Sequence, residues 1–218
     1  MDDLREQAGT IAWFGALNSL AMVALKYTVP GVPDLYQGNE CFDFSLVDPD
    51  NRRPVDFERR AAMLDAIDRR VHDDGIEAVA AWLSRDPRAD EAKLFVTWRL
   101  LQMRRAHAAL FRDGDYLPLE VSGAAASHLV AYARRADSAA VVVLVSRLFA
   151  KLLATAGRLP EGPAVWRDTR VALDGIELDG DPVDQLTGRA VRVSNGALDA
   201  GAVLSGFPAA VLLGTRRS

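Results

Sequence analysis

The stretch LREQAGTIAWFGALNSLAMVALKYTVPGVPDLYQG, residues 4–38, decides how the first half of the chain folds. Residues 4–27 contain no proline, and their apolar side chains recur at helical spacing on almost every side. This pattern predicts a helix that is buried on most sides and ends at Pro30-Gly31. The short apolar run at residues 32–36 predicts a strand, so that helix, strand and loop together form an α/β unit.

The composition of the chain is that of a globular protein. Of its 218 residues, 50% are hydrophobic and 26% are charged, which excludes a disordered, collagen-like or coiled-coil chain. The net charge is −4, so we expect neither nucleic acid nor an anionic membrane as a partner. The N-terminus is acidic, and the apolar stretch at residues 11–25 is short and interrupted by polar residues, so we expect no signal peptide and no membrane span.

Cysteine usage limits the redox and metal chemistry of the chain. Cys41 is the only cysteine, which excludes an internal disulfide and any metal site built on a CxxC motif. A reducing compartment suits such a chain, and we expect it in the cytoplasm. No motif predicts a metal ion or a cofactor.

The periodicity changes from helical to two-fold near residue 113. A long polar loop at residues 39–55 precedes a helix that Asp56 is placed to cap, and further helices are predicted at residues 76–83 and 90–110. Beyond Asp113-Gly114, residues 128–133 and 139–145 alternate as strands joined by a turn near Asp137, and residues 211–213 indicate a last buried strand. Short strands at such spacing favour an antiparallel β-sandwich.

The densest polar cluster lies in and beside the long loop. Its candidate binding residues are Tyr36, Gln37, Glu40, Asp50, Asn51, Arg52 and Arg53. Arginine forks beside carboxylates, amides and a tyrosine match sugar hydroxyls, which need many donors and acceptors and an aromatic face. The alternative is structural: Asp48 and Asp50 form turns and pair with Arg52 and Arg53, which braces the loop.

Two motifs in this region resemble a known family. PGVPDLYQGNE at residues 30–40 and SLVDPDNRRPVDFERR at residues 45–60 are similar to the eighth-strand region of the maltooligosyltrehalose synthases, which belong to glycoside hydrolase family 13. The resemblance extends through most of residues 10–150, and more loosely to residues 207–213. It implies the C-terminal end of a (β/α)8 barrel at residues 1–112, mostly helical here with the last barrel strand, followed by an antiparallel β-sandwich domain at residues 113–218.

The resemblance also implies a reaction and a role for the loop. Family members rearrange the reducing-end α-1,4 bond of a maltooligosaccharide to an α,α-1,1 bond by intramolecular transglucosylation, in trehalose biosynthesis. Their three catalytic carboxylates lie on barrel segments upstream, and none of those motifs occurs here. We therefore expect no catalytic residue in this segment and no activity from the segment alone. The seven candidate residues are expected to wall the reducing-end side of the site and hold the released glucose away from water.

Two other readings of the chain stay open. In the first, the chain is a free-standing, non-catalytic carbohydrate-binding or regulatory module. In the second, the β-domain has a purely structural role and covers the side of a barrel. A barrel remnant leaves an apolar face uncovered, so the isolated segment is expected to self-associate, whereas a module is expected to be monomeric.

Overall fold

A computed structural model describes residues 2–136 and 138–215 of the chain. The helices of the first half are α1 (Asp2–Thr28), α2 (Phe57–Asp74), α3 (Ile76–Leu83), α4 (Asp90–Ala106) and α5 (Ala108–Asp113). The strands of the second half are β1 (Asp115–Pro118), β2 (Val121–Ser122), β3 (Leu129–Arg135), β4 (Ala139–Ser146), β5 (Arg170–Ala172), β6 (Val183–Asp184), β7 (Ala197–Asp199) and β8 (Ala209–Thr215). Short helices between them are α6 (Phe149–Leu153), α7 (Pro163–Trp166) and α8 (Ala200–Val203).

Helix α1 is longer and less buried than the sequence predicted. It runs unbroken through 27 residues, so by length and composition alone it could span a membrane, and the prediction that it is too short is wrong. One such helix is weak evidence for a span, because core helices have the same features. Its second half packs against α4, β4 and β8. Residues 3–12 are exposed, including Leu4 and Ile11, because no other described residue covers them.

The strand predicted at residues 32–36 is not formed. These residues adopt no regular structure, and Val32 is 97% exposed. A strand is stable only when a neighbouring strand satisfies its backbone groups, and no described strand lies alongside this segment. Pro30 and Pro33 also lack the N–H groups that a ladder requires. The prediction that the last barrel strand lies at residues 32–36 is therefore wrong for this structure.

The other predicted helices are formed, with one break. Asp56 caps α2, since its carboxylate accepts the Arg59 backbone N–H at 2.9 Å, and α3 has the predicted bounds. The single helix predicted at residues 90–110 is wrong, because the backbone leaves helical geometry at His107 (φ −119°, ψ 42°). The break separates α4 from α5 and lets Leu110 and Phe111 enter the core.

The second half forms two antiparallel sheets, as the two-fold periodicity predicted. The larger has the order β1-β3-β4-β8-β6, and the smaller has the order β2-β5-β7. The register pairs Tyr132 with Val143 and Val142 with Leu212. The predicted turn residue Asp137 lies outside the described residues. The sandwich itself stays a prediction.

Strand β4 contributes to two apolar clusters, one on each of its faces. Val141 and Val143 lie in a cluster with the buried side chains of α1 and α4. Val142 and Leu144 lie in a second cluster with side chains of β5 and β7 and with Trp166. The change from helix to strand falls between Asp113 and Asp115, where the domain boundary was predicted, but apolar packing continues across it. The division into two domains stays a prediction.

A buried arginine joins the end of α1 to the start of the β part. Arg134 is 1% exposed, and its guanidinium donates to the backbone carbonyls of Phe111 at 3.0 Å, Gly114 at 2.8 Å and Thr28 at 3.4 Å. A cation suits these carbonyls, because they lie at helix C-termini. The hydroxyls of Thr28 and Tyr132 share a further buried hydrogen bond. The start of the loop that follows α1 is therefore fixed in space.

Candidate functional site

The loop between α1 and α2, residues 29–56, contains no regular element except a 3-10 turn at Asp50–Arg52. With Arg60 of α2 it borders an open cavity of about 1110 Å³. Five of the seven predicted site residues line the cavity: Tyr36, Gln37, Asp50, Asn51 and Arg53. Glu40 and Arg52 do not line it.

Two arginine–carboxylate pairs brace the distal part of the loop. Arg52 pairs with Asp48 at 2.6 Å, and Arg53 pairs with Asp50. The second oxygen of Asp50 accepts the Leu46 backbone N–H at 2.8 Å. These are the pairs of the alternative, structural interpretation. They also leave the cavity without an uncompensated charge at this position, which suits a neutral ligand.

Glu40 anchors the proximal part of the loop to α2. Its carboxylate lies 2.5 Å from the Nε atom of Arg60 and accepts the Gly38 backbone N–H at 3.1 Å. Arg60 also donates to the Gly38 carbonyl oxygen at 3.2 Å. Gly38 itself has a φ of +93°, and a Cβ there would lie 3.2 Å from Val55, so glycine is required at this turn. The sequence did not single out Arg60, which lines the cavity from α2.

A second anchor comes from α4 and was missed by the sequence analysis. Lys93 is 7% exposed, and its ammonium donates to the Cys41 carbonyl oxygen at 2.9 Å. Asp90 accepts the Phe42 backbone N–H at 3.0 Å and pairs with Arg59 of α2 at 2.8 Å. Burial lowers the pKa of Lys93 and raises the pKa of the Cys41 thiol. One signal was available: lysine is rare in this arginine-rich chain, and Lys93 falls on an otherwise buried part of a helix.

Aromatic and apolar side chains are exposed around the cavity. Phe44 is 84% exposed, and its ring stacks on that of Phe42 with 6.2 Å between the ring centroids. Tyr36, Leu46 and Val47 are also exposed and line the cavity. Aromatic faces beside hydrogen-bonding groups are the surfaces on which proteins hold sugar rings. The sequence analysis identified only Tyr36 in this set; the alternation in CFDFSLV, residues 41–47, was the available signal.

The carboxylates that line the cavity are engaged by the loop itself. Asp43 accepts the Ser45 backbone N–H at 2.9 Å, and the hydrogen bonds from Ser45 lower its pKa. Asp50 is held by Arg53 and by the Leu46 N–H, and Asp56 caps α2. Residues 2–136 and 138–215 contain no group of three metal-binding side chains placed to hold an ion. The lining carboxylates are therefore held in place by hydrogen bonds and ion pairs within the loop and with the start of α2.

Comparison with known proteins gives relatives for three quarters of the chain. No protein-family model matches the sequence. The chain is 38% identical over 168 residues to a protein of Mycobacterium tuberculosis described as "Putative maltooligosyl trehalose synthase", in strains CDC 1551 and H37Rv. This match covers 75% of the chain and 18% of the relative, so the chain spans about a fifth of the length of the relatives it matches.

Comparison with solved structures also finds a maltooligosyltrehalose synthase, here by similarity of the fold. The maltooligosyltrehalose synthase of Arthrobacter ramosus superimposes with a TM-score of 0.68 and 34% identity, over 92% of this chain and 22% of that one. An α-amylase of Anoxybacillus superimposes with a TM-score of 0.55 and 18% identity, which shows the fold alone, over 93% of this chain and 33% of that one.

The chain therefore shares part of the fold of a group of carbohydrate-active enzymes that includes the trehalose-forming synthase and the α-amylase. The chain is similar in sequence and in fold to a part of maltooligosyltrehalose synthase, and the resemblance predicted from its motifs is confirmed.

Proposed function

We propose that the chain is the C-terminal segment of a maltooligosyltrehalose synthase, with the end of the (β/α)8 barrel at residues 1–112 and an antiparallel β-domain at residues 113–218. Its relatives support this placement, as do the exposed apolar residues of α1 and of the loop, among them Leu4, Ile11 and Val32. The remainder of a barrel, upstream in a parent chain, would cover this surface and supply the strands that residues 32–36 lack.

In this proposal the complete protein is an isomerase that acts on maltooligosaccharides. It converts the α-1,4 bond at the reducing end to an α,α-1,1 bond and leaves a terminal trehalose unit. A retaining mechanism needs two carboxyl groups on opposite sides of the sugar, about 5 Å apart. The cavity carboxylates Asp43, Asp50 and Asp56 are held by loop backbone and by Arg53, so we assign none of them to catalysis and expect the segment alone to be inactive.

We propose that the loop between α1 and α2 binds the released glucose. The observation that carries this assignment is the cavity itself, where exposed aromatic rings adjoin arginine and carboxylate groups that are already paired with each other. Such paired ions offer hydrogen bonds to hydroxyls without attracting a charged ligand. A glucose held by several such bonds stays in place long enough to act as the acceptor, and water is kept out.

The test is a chimera in which this chain replaces the matching segment of the Arthrobacter ramosus enzyme. We expect Arg53→Ala in the chimera to raise the ratio of glucose release to trehalosyl product from maltopentaose by about tenfold, the effect of losing about 1.4 kcal/mol of acceptor binding. Arg52→Ala is the matched comparison, because Arg52 does not line the cavity, and we expect a smaller change from it. A ratio that neither variant alters would contradict the assignment of the loop.

The chain alone distinguishes this proposal from a free-standing carbohydrate-binding module. A module would be monomeric and would bind maltoheptaose in calorimetric titration. We also propose a cytoplasmic location, which the free, buried Cys41 supports. Reading the coding DNA upstream of Met1 for an open frame is the simplest further check.

A further inference from the structure

A second cavity lies between α1, the connection from α3 to α4, and residues 152–167. Its volume is about 670 Å³, which falls within the range of small-molecule sites. Trp13, Leu159 and Val165 contribute an apolar lining, and arginine side chains supply most of the charge. None of these residues belongs to the candidate sugar site.

Three arginines from separate segments line this cavity: Arg85, Arg158 and Arg167. All three side chains are exposed, and within residues 2–136 and 138–215 none of their guanidinium groups forms an ion pair or a hydrogen bond. Glu161 is the single carboxylate among the lining residues, so the cavity has an excess of two positive charges. In the sugar cavity, by contrast, the lining arginines Arg53 and Arg60 are each paired with a carboxylate.

The backbone that presents two of these arginines is fixed by tryptophans. The indole N–H of Trp13 donates to the Arg158 carbonyl oxygen at 3.1 Å, and that of the buried Trp166 donates to the Pro160 carbonyl oxygen at 2.7 Å. Arg167 has a φ of +53°, unusual for a residue other than glycine. Its neighbour Asp168 forms no ion pair with it: that carboxylate accepts the Ala124 backbone N–H at 2.9 Å, and this hydrogen bond lowers the pKa of Asp168 more than the charge of Arg167 does.

We propose that this cavity binds a small organic phosphate. The planar guanidinium fork matches the geometry of phosphate oxygens, and three unpaired forks around one cavity would neutralise a phosphate dianion. The apolar lining from Trp13, Leu159 and Val165 then accommodates the organic part of the ligand. A neutral sugar would leave the excess of two positive charges uncompensated, so the cavity discriminates against the ligand class that suits the loop.

The test is calorimetric titration of the chain with glucose 6-phosphate, glucose and inorganic phosphate. We expect submillimolar binding of glucose 6-phosphate and none of glucose. Arg85→Gln combined with Arg158→Gln should weaken binding about tenfold or more, since each lost contact involves a charged acceptor. The matched control is Arg192→Gln, which removes an exposed arginine that does not line the cavity.

Three results would overturn the proposal. They are the absence of phosphate binding, an equal loss of affinity in Arg192→Gln, and inorganic phosphate binding as tightly as glucose 6-phosphate, which would exclude an organic ligand. Circular dichroism of each variant is the control for folding, and we expect unchanged spectra because the substituted arginines are exposed.

Discussion

At the scale of single residues, two buried charged groups are stabilised by the backbone. Arg134 is surrounded by carbonyl oxygens from α1, α5 and the turn before β1. Asp184 is fully buried and accepts hydrogen bonds from the Thr187 hydroxyl at 2.7 Å and from the backbone N–H groups of Leu186 and Val211. The sequence analysis predicted neither group, because all the partners except the Thr187 hydroxyl are backbone atoms brought together by the tertiary fold.

We expect Arg134→Met to lower the free energy of unfolding by about 3 kcal/mol, because several buried carbonyls lose a charged donor at once. Urea unfolding measures the loss. The adjacent Arg135 is a matched control, since its partly exposed side chain pairs with Asp115 at 2.8 Å, and Arg135→Met should cost about 1 kcal/mol or less. Equal losses in the two variants would contradict the role given to Arg134.

The buried carboxyl of Asp184 predicts how the free energy of unfolding changes with pH. Burial raises its pKa above the usual 3.8, so the unfolded chain loses this proton at lower pH than the folded chain does. The stability due to the protonated carboxyl is therefore lost as pH rises from about 3.8 through the raised pKa. Asp184→Asn does not titrate, so its unfolding free energy relative to the natural chain should increase between pH 4 and pH 8. A difference that does not change with pH would contradict this.

At the scale of elements, the loop between α1 and α2 depends on anchors from two helices. Lys93 of α4 holds the Cys41 carbonyl, and Asp90 holds the Phe42 N–H. The polar sequence at residues 39–55 predicted a loop, and Asp56 predicted where it ends. The anchors were not predictable, because Lys93 is 52 residues from Cys41 along the chain. The prediction of a strand at residues 32–36 was wrong for a related reason. A strand forms only beside a neighbouring strand, and the local sequence does not show whether that neighbour is present.

We expect Lys93→Met to loosen the loop while leaving the helices and sheets intact. Hydrogen exchange should become at least tenfold faster at residues 39–44, because the variant removes a buried bond that closes the loop onto α4. Lys151→Met is the matched control, since Lys151 is exposed on α6. Unchanged exchange at residues 39–44 would show that Lys93 does not anchor the loop.

At the scale of the whole molecule, the exposed apolar residues mark surface that lacks a partner. Ile11 is 72% exposed on α1, and Leu4 lies on the same exposed segment. The sequence predicted α1 correctly as a helix but overestimated its burial, because the apolar pattern does not distinguish contacts within one chain from contacts with another segment.

We expect the chain alone to self-associate at micromolar concentrations through this surface. In sedimentation velocity, Leu4→Lys with Ile11→Lys should shift the population toward the monomer, because the charges disfavour an apolar contact. Leu101→Lys, which changes an exposed apolar residue of α4, is the control and should have little effect. A monomer at about 100 µM, a concentration at which self-association with a micromolar Kd would mostly populate the dimer, would contradict the prediction.

Strand β4, with one face in each apolar cluster, has a consequence for cooperativity. Since Val141 and Val143 serve the helical core while Val142 and Leu144 serve the β core, neither core can melt without exposing the back of the other. The chain should then denature in one calorimetric transition in spite of its two halves. A cut near residue 113 would leave the whole of β4 in the C-terminal fragment, with its Val141 and Val143 face uncovered, and would remove that face from the helical fragment.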